Sequence, residues 1–180
     1  RNQGMVSKIM MMEGYNPLVM RVATIPLPWE GILRMMNVKY DLKIDSIRGT
    51  VSFYENQDRW KTPQLVRNAM YIPENQSSDY MKQHKIDYSK TILLQDVSGI
   101  DLKRYNDTNE FHKSVKCLDY QPNFLKYDVQ TEKDAIMVFG EMYYPDWKAY
   151  IDGKEVKIYK ADNSFRAIEV PAGNHTVEMK

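Results

Sequence analysis

Cysteine is almost absent from this sequence. Cys117 is the only one in 180 residues, so no disulfide can form within the chain. A single cysteine also provides no cluster for zinc or an iron–sulfur centre. An isolated cysteine in an alternating strand is usually a small buried hydrophobic residue, and we expect that role for Cys117 rather than a nucleophilic one.

An excess of one charge is lacking as well. Lysine and arginine number 25 against 24 aspartates and glutamates. Proteins that bind the phosphate backbone of nucleic acids need a basic surface, so we expect no nucleic-acid partner. The hydrophobic fraction of 43% and the charged fraction of 27% are ordinary for a folded globular domain.

Long apolar runs are missing. No segment approaches the roughly 20 apolar residues that cross a bilayer, and the sequence does not start with the pattern of a signal peptide. The first residue is Arg1, and Met179-Lys180 interrupts a strand-like alternation. We therefore expect the chain to be a module of a larger protein, with any membrane anchor outside this sequence.

Catalytic and metal-binding motifs are also missing. His84, His112 and His175 are far apart, and no HExxH, GxSxG, Walker or GxGxxG pattern occurs. We predict no catalytic residue, no metal site and no cofactor. For His175, on the inward side of its strand, we expect a hydrogen-bonded imidazole.

The first half, residues 1–105, combines helix and strand patterns. We predict helices from Asn16-Pro17, over residues 29–36, and from a cap at Ser77 or Ser78 to Met81. We predict strands at residues 38–44, around Val51 and Phe53, and at residues 65–72 and 91–94. This half is expected to be mixed α/β.

The second half, residues 106–180, is a series of short strands separated by turn residues. The strands are expected at residues 115–120, 124–129, 135–139, 147–151, 155–159, 165–170 and 175–179. Their spacing indicates a mainly antiparallel β-sandwich, with helices confined to residues before Gly99. The predicted fold class is therefore α+β, either as two segments or as one continuous domain.

One hairpin can be predicted residue by residue. Asp152-Gly153 between two strands favours a type I′ turn, because both central residues of that turn need positive φ. A two-residue loop pairs Ile151 with Lys154 and Ala149 with Val156, and it places Trp147 opposite Ile158. Apolar residues then share one face, so Trp147, Asp152 and Gly153 are predicted to be structural.

The last two strands suggest a second hairpin. A loop at residues 171–174 would place Val170 beside His175 and Ile168 beside Val177. Met179 would lie on the same inward face.

Tryptophan and tyrosine side chains can stack on sugar rings because they combine a flat apolar face with a polar tip. Trp147 is assigned to the core by the hairpin. Trp60 lies in a polar stretch, Gln57 to Lys61, where an exposed indole would have few core neighbours. We therefore predict Trp60 as a possible glycan contact.

Several segments in this order resemble the carboxy-terminal region of the bacterial membrane protein YfhO family. They are YYPDWKAYIDGK at residues 143–154, NSFRA at 163–167 and PAGNHTV at 171–177, with EGYNPL at 13–18, MNVKY at 36–40 and FYEN at 53–56. Two positions depart from the family pattern. Asp146 stands where the family usually has glycine before the tryptophan. After Glu55-Asn56 the family usually has a leucine-proline-arginine run, where this chain has Arg59-Trp60-Lys61-Thr62-Pro63.

The resemblance implies a multi-pass membrane protein similar to lipid-linked-sugar glycosyltransferases, with this domain on the extracytoplasmic side of the cell membrane. Catalysis would belong to the membrane part, which is the implied partner of this domain. The domain itself would be non-catalytic and would assist recognition of a cell-envelope glycan acceptor. The alternative is a structural docking module that covers the membrane part and binds no sugar. A free-standing hydrolase is the weakest reading, since no acid–base pair can be named.

Overall fold

A computed structural model describes Gly31 and residues 34–180. Strands account for 47% of the structure and helices for 11%. The strands are β1 Tyr40–Asp45, β2 Thr50–Glu55, β3 Gln64–Val66, β4 Asn68–Tyr71, β5 Thr91–Leu94, β6 Lys113–Gln121, β7 Phe124–Thr131, β8 Ala135–Met142, β9 Ala149–Ile151, β10 Lys154–Val156, β11 Tyr159–Ala161, β12 Phe165–Val170 and β13 Gly173–Met179. The helix α1 covers Glu74–Gln83, and Leu102–Arg104 form one turn of 3-10 helix.

These strands form three sheets. β1 and β2 form a separate two-stranded hairpin, while β10-β9-β13-β7-β6 form a five-stranded sheet. The third sheet has six strands in the order β3-β8-β12-β11-β5-β4. All pairs are antiparallel except β4 and β5, which are parallel and are joined through α1. A parallel pair needs such a crossover, because its second strand must start at the same end as the first.

The five-stranded and six-stranded sheets contribute to one hydrophobic cluster. The five-stranded sheet provides Leu125, Tyr127 and Val177, and the six-stranded sheet provides Phe139 and Ile168. These five side chains are almost fully buried. The inner faces of the two sheets therefore pack against each other through this cluster, which we call the interlayer core.

The opposite face of the six-stranded sheet is buried too. A second cluster there, the outer core, includes Trp60, Tyr105, Tyr159 and Phe165. Strands that are buried on both faces carry apolar residues at consecutive positions, and the unbroken burial of Ala135 to Phe139 in β8 follows this rule.

The predicted α+β fold class, with its mixed α/β first half, is wrong. The described residues before position 105 contain five strands, and their helical residues are α1, Gly31, Arg34, Met35 and the 3-10 turn. α1 is present because a parallel strand pair requires a connection, and among the described residues no layer of helices accompanies it. The protein is a β-rich structure with three sheets.

Helix positions agree in part with the sequence-based predictions. Arg34 and Met35 are helical, as expected for residues 29–36, while the helix predicted from Asn16-Pro17 lies outside the described residues. α1 begins three residues before the predicted cap at Ser77, which is buried inside the helix. Residues 115–180 contain no helix, as predicted, but the 3-10 turn follows Gly99.

The six-stranded sheet contains strands from both predicted segments. β3, β4 and β5 precede residue 105, and they share the sheet with β8, β11 and β12. Strands from both segments should share a sheet if the two segments form one continuous domain. The division at residue 105 itself stays a prediction.

The hairpin at Asp152-Gly153 has the predicted register. Ile151 pairs with Lys154 and Ala149 with Val156, and both turn residues have positive φ, 51° at Asp152 and 78° at Gly153. Ala149 is fully buried, whereas Lys148 is exposed. The type I′ turn and the two pairs nearest to it are confirmed. The ladder ends at Ala149 and Val156, so the predicted pairing of Trp147 with Ile158 is wrong, although both side chains pack against the interlayer core.

The predicted pairing of the last two strands is wrong. β13 pairs with β7 and β9, whereas β12 pairs with β8 and β11. The connection at Pro171-Ala172 carries the chain from one sheet to the other instead of reversing it within a sheet. The strand predicted at residues 155–159 is interrupted for a similar reason, because β10 and β11 belong to different sheets.

Cys117 departs from its expected burial. It is exposed on β6, next to a shift in the register between β6 and β7. Burial and the nearby Asp119 raise the pKa of its thiol, so the environment does not favour a thiolate nucleophile.

Candidate functional site

A cleft of about 800 Å³ lies beside α1. One wall is the carboxyl end of α1 with the following loop, from Met81 to Ser89, and the opposite wall carries Gly31, Arg34, Met35 and Trp60. The backbone N–H of Trp60 donates to the carbonyl of Arg34 at 2.9 Å, which joins the two parts of this second wall. The volume lies within the range of about 300–1,000 Å³ typical of small-ligand sites.

The floor of the cleft is apolar and aromatic. Met35, Trp60 and Met81 are buried, and Tyr88 is half-buried. Trp60 is only 7% exposed and belongs to the outer core, so the expectation of an exposed indole with few neighbours is wrong. The polar residues beside Trp60 in the sequence gave no sign of this burial, because a single indole can turn into the core from an exposed loop. Trp60 nonetheless lines the cleft.

The rim of the cleft is mainly basic. Arg34, Lys82 and Lys85 are exposed there, and Asp87 is the one carboxylate among the described lining residues. Arg34 Nη2 lies 3.7 Å from Asp58 Oδ2, and Lys82 Nζ lies 3.7 Å from Asp79 Oδ1; neither carboxylate lines the cleft. The cleft therefore presents more positive than negative charge to a ligand.

His84 and Asp87 are held by local hydrogen bonds. The His84 ring stacks on Tyr80 with 4.0 Å between the ring centroids, and its Nδ1 lies 2.9 Å from the carbonyl oxygen of Tyr80. Ser89 donates to Asp87 through its hydroxyl at 2.5 Å and its backbone N–H at 3.0 Å. These bonds, with Lys90 and Arg34 nearby, lower the pKa of Asp87. Asp87 is consequently ionised at neutral pH.

Tyr88 connects the cleft with a buried polar group. Its ring lines the cleft, and its hydroxyl is buried with no hydrogen-bond partner among the described residues. Burial, followed by the charge of Asp162, raises the pKa of Tyr88. The hydroxyl therefore remains protonated.

Asp162 occupies the turn between β11 and β12. Its Oδ1 accepts from the backbone N–H of Leu93 at 2.8 Å, and Gln95 Oε1 accepts from the backbone N–H of Asn163 at 3.0 Å. Gln95 also donates to Ser77 Oγ at 3.2 Å, which connects this turn with α1. Burial raises the pKa of Asp162 to about 7.

Trp147 lies away from the cleft, against the interlayer core. Its ring stacks on the guanidinium of Arg166, which also pairs with Glu141. Tyr120 donates to the same Glu141 carboxylate at 3.0 Å. Trp60 and Trp147 are therefore on opposite faces of the six-stranded sheet and do not form one site.

Asp152 has a contact beyond its turn. One carboxylate oxygen lies 2.7 Å from Nδ1 of His175, and the other accepts from the backbone N–H of Thr176 at 2.8 Å. These two bonds lower the pKa of Asp152. The expectation of a hydrogen-bonded imidazole at His175 is confirmed.

Sequence reasoning missed Arg166 and the residues of the cleft other than Trp60. Arg166 could have been found by parity, because it shares the inward face of β12 with Ile168 and Val170, where a charged residue is unusual. The cleft has no comparable signal, since its two walls are brought together only by tertiary packing.

No group of three or more histidine, cysteine, aspartate or glutamate residues in the described part is arranged to hold a metal ion. Within the same part, no helix has the length and apolar character needed to cross a membrane.

Comparison with known families gave one match. The model of the family described as bacterial membrane protein YfhO matches residues 89–180, just over half of the chain. The matched part contains β5 to β13, whereas most of the cleft and the β1–β2 hairpin precede it. Searches of curated proteins and of solved structures gave no significant match. The chain belongs to the YfhO family of bacterial membrane proteins.

Proposed function

We propose that this chain is a non-catalytic extracytoplasmic domain of a multi-pass membrane protein that resembles lipid-linked-sugar glycosyltransferases. In this proposal the cleft beside Trp60 holds part of a cell-envelope glycan acceptor, and the membrane part carries out the transfer. The supporting observation is the cleft itself, which combines an aromatic and apolar floor with a basic rim.

The chemistry of the cleft fits a saccharide better than a purely apolar ligand. The half-buried Tyr88 offers a ring surface for the apolar face of a sugar ring, while the buried Trp60 presents only the small exposed part of its indole to the cleft. The exposed cations Arg34 and Lys85 can donate to hydroxyl, phosphate or carboxylate oxygens. The basic rim favours an anionic glycan.

The same residues support a binding role over hydrolysis. Glycoside hydrolysis usually needs two carboxyl groups at a defined separation. Asp87 is the single carboxylate among the described residues of the cleft, and Ser89 occupies it with two hydrogen bonds. Binding should be weak, because a small interface must also offset the ordering of a flexible glycan.

Calorimetric titration of the chain with soluble peptidoglycan fragments and with purified anionic wall glycopolymers tests this proposal. We expect Arg34→Ala and Lys85→Ala each to weaken binding by about fivefold to tenfold, the loss of one charge-assisted hydrogen bond. Lys116→Ala, an exposed lysine on β6 outside the cleft, is the matched control and should bind like the parent chain. Equal binding by all four proteins would refute the cleft as the site.

The second candidate is the docking module that covers the membrane part without binding sugar. One observation favours it, the exposed apolar side chains of the β1–β2 hairpin. Absence of glycan binding in the same titrations, with the folded chain intact, would favour this candidate over the acceptor site.

A further inference from the structure

The β1–β2 hairpin exposes an unusual amount of apolar surface. All six residues of β2 are exposed, including Phe53 at 72%, and Ile47 at the tip is 96% exposed. A soluble monomer rarely displays a contiguous apolar patch unless the patch contacts a partner or a membrane. A lone two-stranded hairpin is also only marginally stable in water, so contact with another surface would stabilise it.

Three exposed apolar residues of the hairpin lie on one face, while Tyr54, 45% exposed, lies on the other. Val51 and Phe53 are two positions apart and therefore point to the same face of β2. Tyr40 pairs with Glu55, which places Tyr40 on that face as well. We call Tyr40, Phe53, Val51 and the tip residue Ile47 the hairpin patch.

Two backbone donors of the tip are already paired within the hairpin. Asp45 Oδ1 accepts from the backbone N–H groups of Ile47 and Arg48, each at 3.0 Å. An unpaired N–H group removed from water would cost free energy, and these two are already satisfied.

The charges of the hairpin are arranged asymmetrically. Its carboxylates are all paired: Asp41 accepts from the Tyr54 hydroxyl, Asp45 from the tip backbone, and Glu55, at the end far from the tip, from Arg59 at 3.4 Å. Arg48, by contrast, is 79% exposed and lies 3.9 Å from Asp45. An apolar tip with an outward cation beside it complements a negatively charged lipid surface.

We propose that the hairpin patch binds the surface of an anionic lipid bilayer, with Ile47 and Phe53 at the level of the headgroups and Arg48 on lipid phosphates. Membership in a membrane-protein family brings this chain next to such a surface. No described strand pairs with the outer edges of β1 and β2, and these edges limit the depth of insertion, because unpaired strand backbone is not tolerated in hydrocarbon. The contact therefore stays at the interface.

Cosedimentation with unilamellar vesicles tests the proposal. We expect the chain to bind vesicles of equal parts phosphatidylglycerol and phosphatidylcholine at least tenfold more strongly than vesicles of phosphatidylcholine alone. Ile47→Ser and Phe53→Ser should each weaken binding by about fivefold to tenfold, since each removes part of the buried apolar area. Arg48→Gln should weaken binding about fivefold, and only to the anionic vesicles.

Leu118→Ser is the matched control, because Leu118 is a half-exposed apolar residue on β6 outside the hairpin. Its binding should equal that of the parent chain. All four substitutions are at exposed positions, and an unchanged thermal midpoint verifies that each variant is folded. Failure of the parent chain to bind anionic vesicles, or an equal loss in the Leu118 variant, would overturn the proposal and favour a protein partner for the patch.

A site-specific fluorophore locates the contact. Cys117 is the only cysteine, so Cys117→Ser allows a single label at Ile47→Cys or at Leu118→Cys. An environment-sensitive label at position 47 should shift to the blue on addition of anionic vesicles, while the label at position 118 should not. A shift at position 118 alone would assign lipid contact to another surface and refute the hairpin patch.

Discussion

The guanidinium carbon of Arg166 lies 4.1 Å from the ring centroid of Trp147. Arg166 is only 3% exposed at its side chain, and Nε and Nη1 are buried without hydrogen-bond partners among the described residues. Its Nη2 pairs with Glu141. Trp147 therefore covers a charged group that is otherwise removed from water, which adds a cation–π contribution to its packing.

Substitution of Trp147 by alanine should lower the free energy of unfolding by about 2 to 4 kcal/mol. A fully buried aromatic residue usually loses about 3 to 5 kcal/mol on truncation, and Trp147 is half-buried. Chemical denaturation gives the value directly. Tyr144→Ala, an exposed aromatic three residues earlier, should change it by less than about 1 kcal/mol.

Removal of the Glu141 charge should also destabilise the fold. Glu141→Gln leaves Arg166 buried without a counter-charge, and we expect a loss of about 1 to 3 kcal/mol, reduced because Glu141 is partly exposed. Glu155→Gln removes a carboxylate from an exposed pair 4.0 Å from Lys148 and should cost at most about 0.5 kcal/mol. Equal losses of unfolding free energy for the two variants in urea denaturation would mean that burial of the Arg166 cation does not depend on the charge of Glu141.

The strands and the hairpin could be predicted because their signals are local. Phe165–Val170 and Thr91–Leu94 have the predicted bounds, and Asp152-Gly153 sets its own register by turn chemistry. Alternation also identified the inward face of β13 correctly at Val177. Each of these features depends only on residues within a few positions of one another.

The sheet partners and the cleft could not be predicted, since both depend on distant segments. A loop such as Pro171-Ala172 can reverse a strand within one sheet or carry it to the facing sheet, and the alternation of β13 is the same in both cases. Trp60 illustrates the same limit. Its neighbours in sequence are polar, but its neighbours in space belong to the outer core.

Gly140 is predicted to be essential for the wall of the cleft. A Cβ built on Gly140 would lie 1.8 Å from the carbonyl oxygen of Met35, a distance that no real contact allows. Gly140→Ala must therefore displace the helical residues around Met35 and Arg34. We expect a loss of at least about 2 kcal/mol in unfolding free energy.

Gly49 provides the control for that substitution. It has positive φ, but an added Cβ would meet nothing within 4 Å, so Gly49→Ala costs only backbone strain of about 1 kcal/mol. Hydrogen exchange would separate the two variants, with faster exchange at Trp60 N–H in Gly140→Ala alone, because that group donates to Arg34. Unchanged exchange at Trp60 would contradict the predicted displacement.

Asp162 should make the stability of the domain fall as the pH rises from about 4 to about 7. Burial raises the pKa of its carboxyl to about 7, whereas the carboxyl titrates near 3.9 in the unfolded chain. Between these values the folded state keeps a proton that the unfolded state has lost, so each increase in pH favours unfolding. Below about pH 4 both states are protonated, and above about pH 7 both are ionised, so this contribution becomes constant.

Asp162→Asn should remove this dependence. Asparagine keeps an oxygen that can accept from the Leu93 N–H, tolerates the positive φ of 46° at this position and carries no charge at any pH. We expect the variant to match the parent chain near pH 4 and to exceed its unfolding free energy by on the order of 4 kcal/mol at pH 7.5. Asp87 and Asp152 have lowered pKa values, so their contribution to stability rises with pH, mainly below pH 4. Both proteins contain these two residues, and their contribution therefore cancels in the difference. Asp79→Asn, at an exposed position on α1, should show no such difference. A constant difference between the Asp162 variant and the parent chain from pH 4 to pH 8 would mean that the carboxyl is already ionised in the folded state.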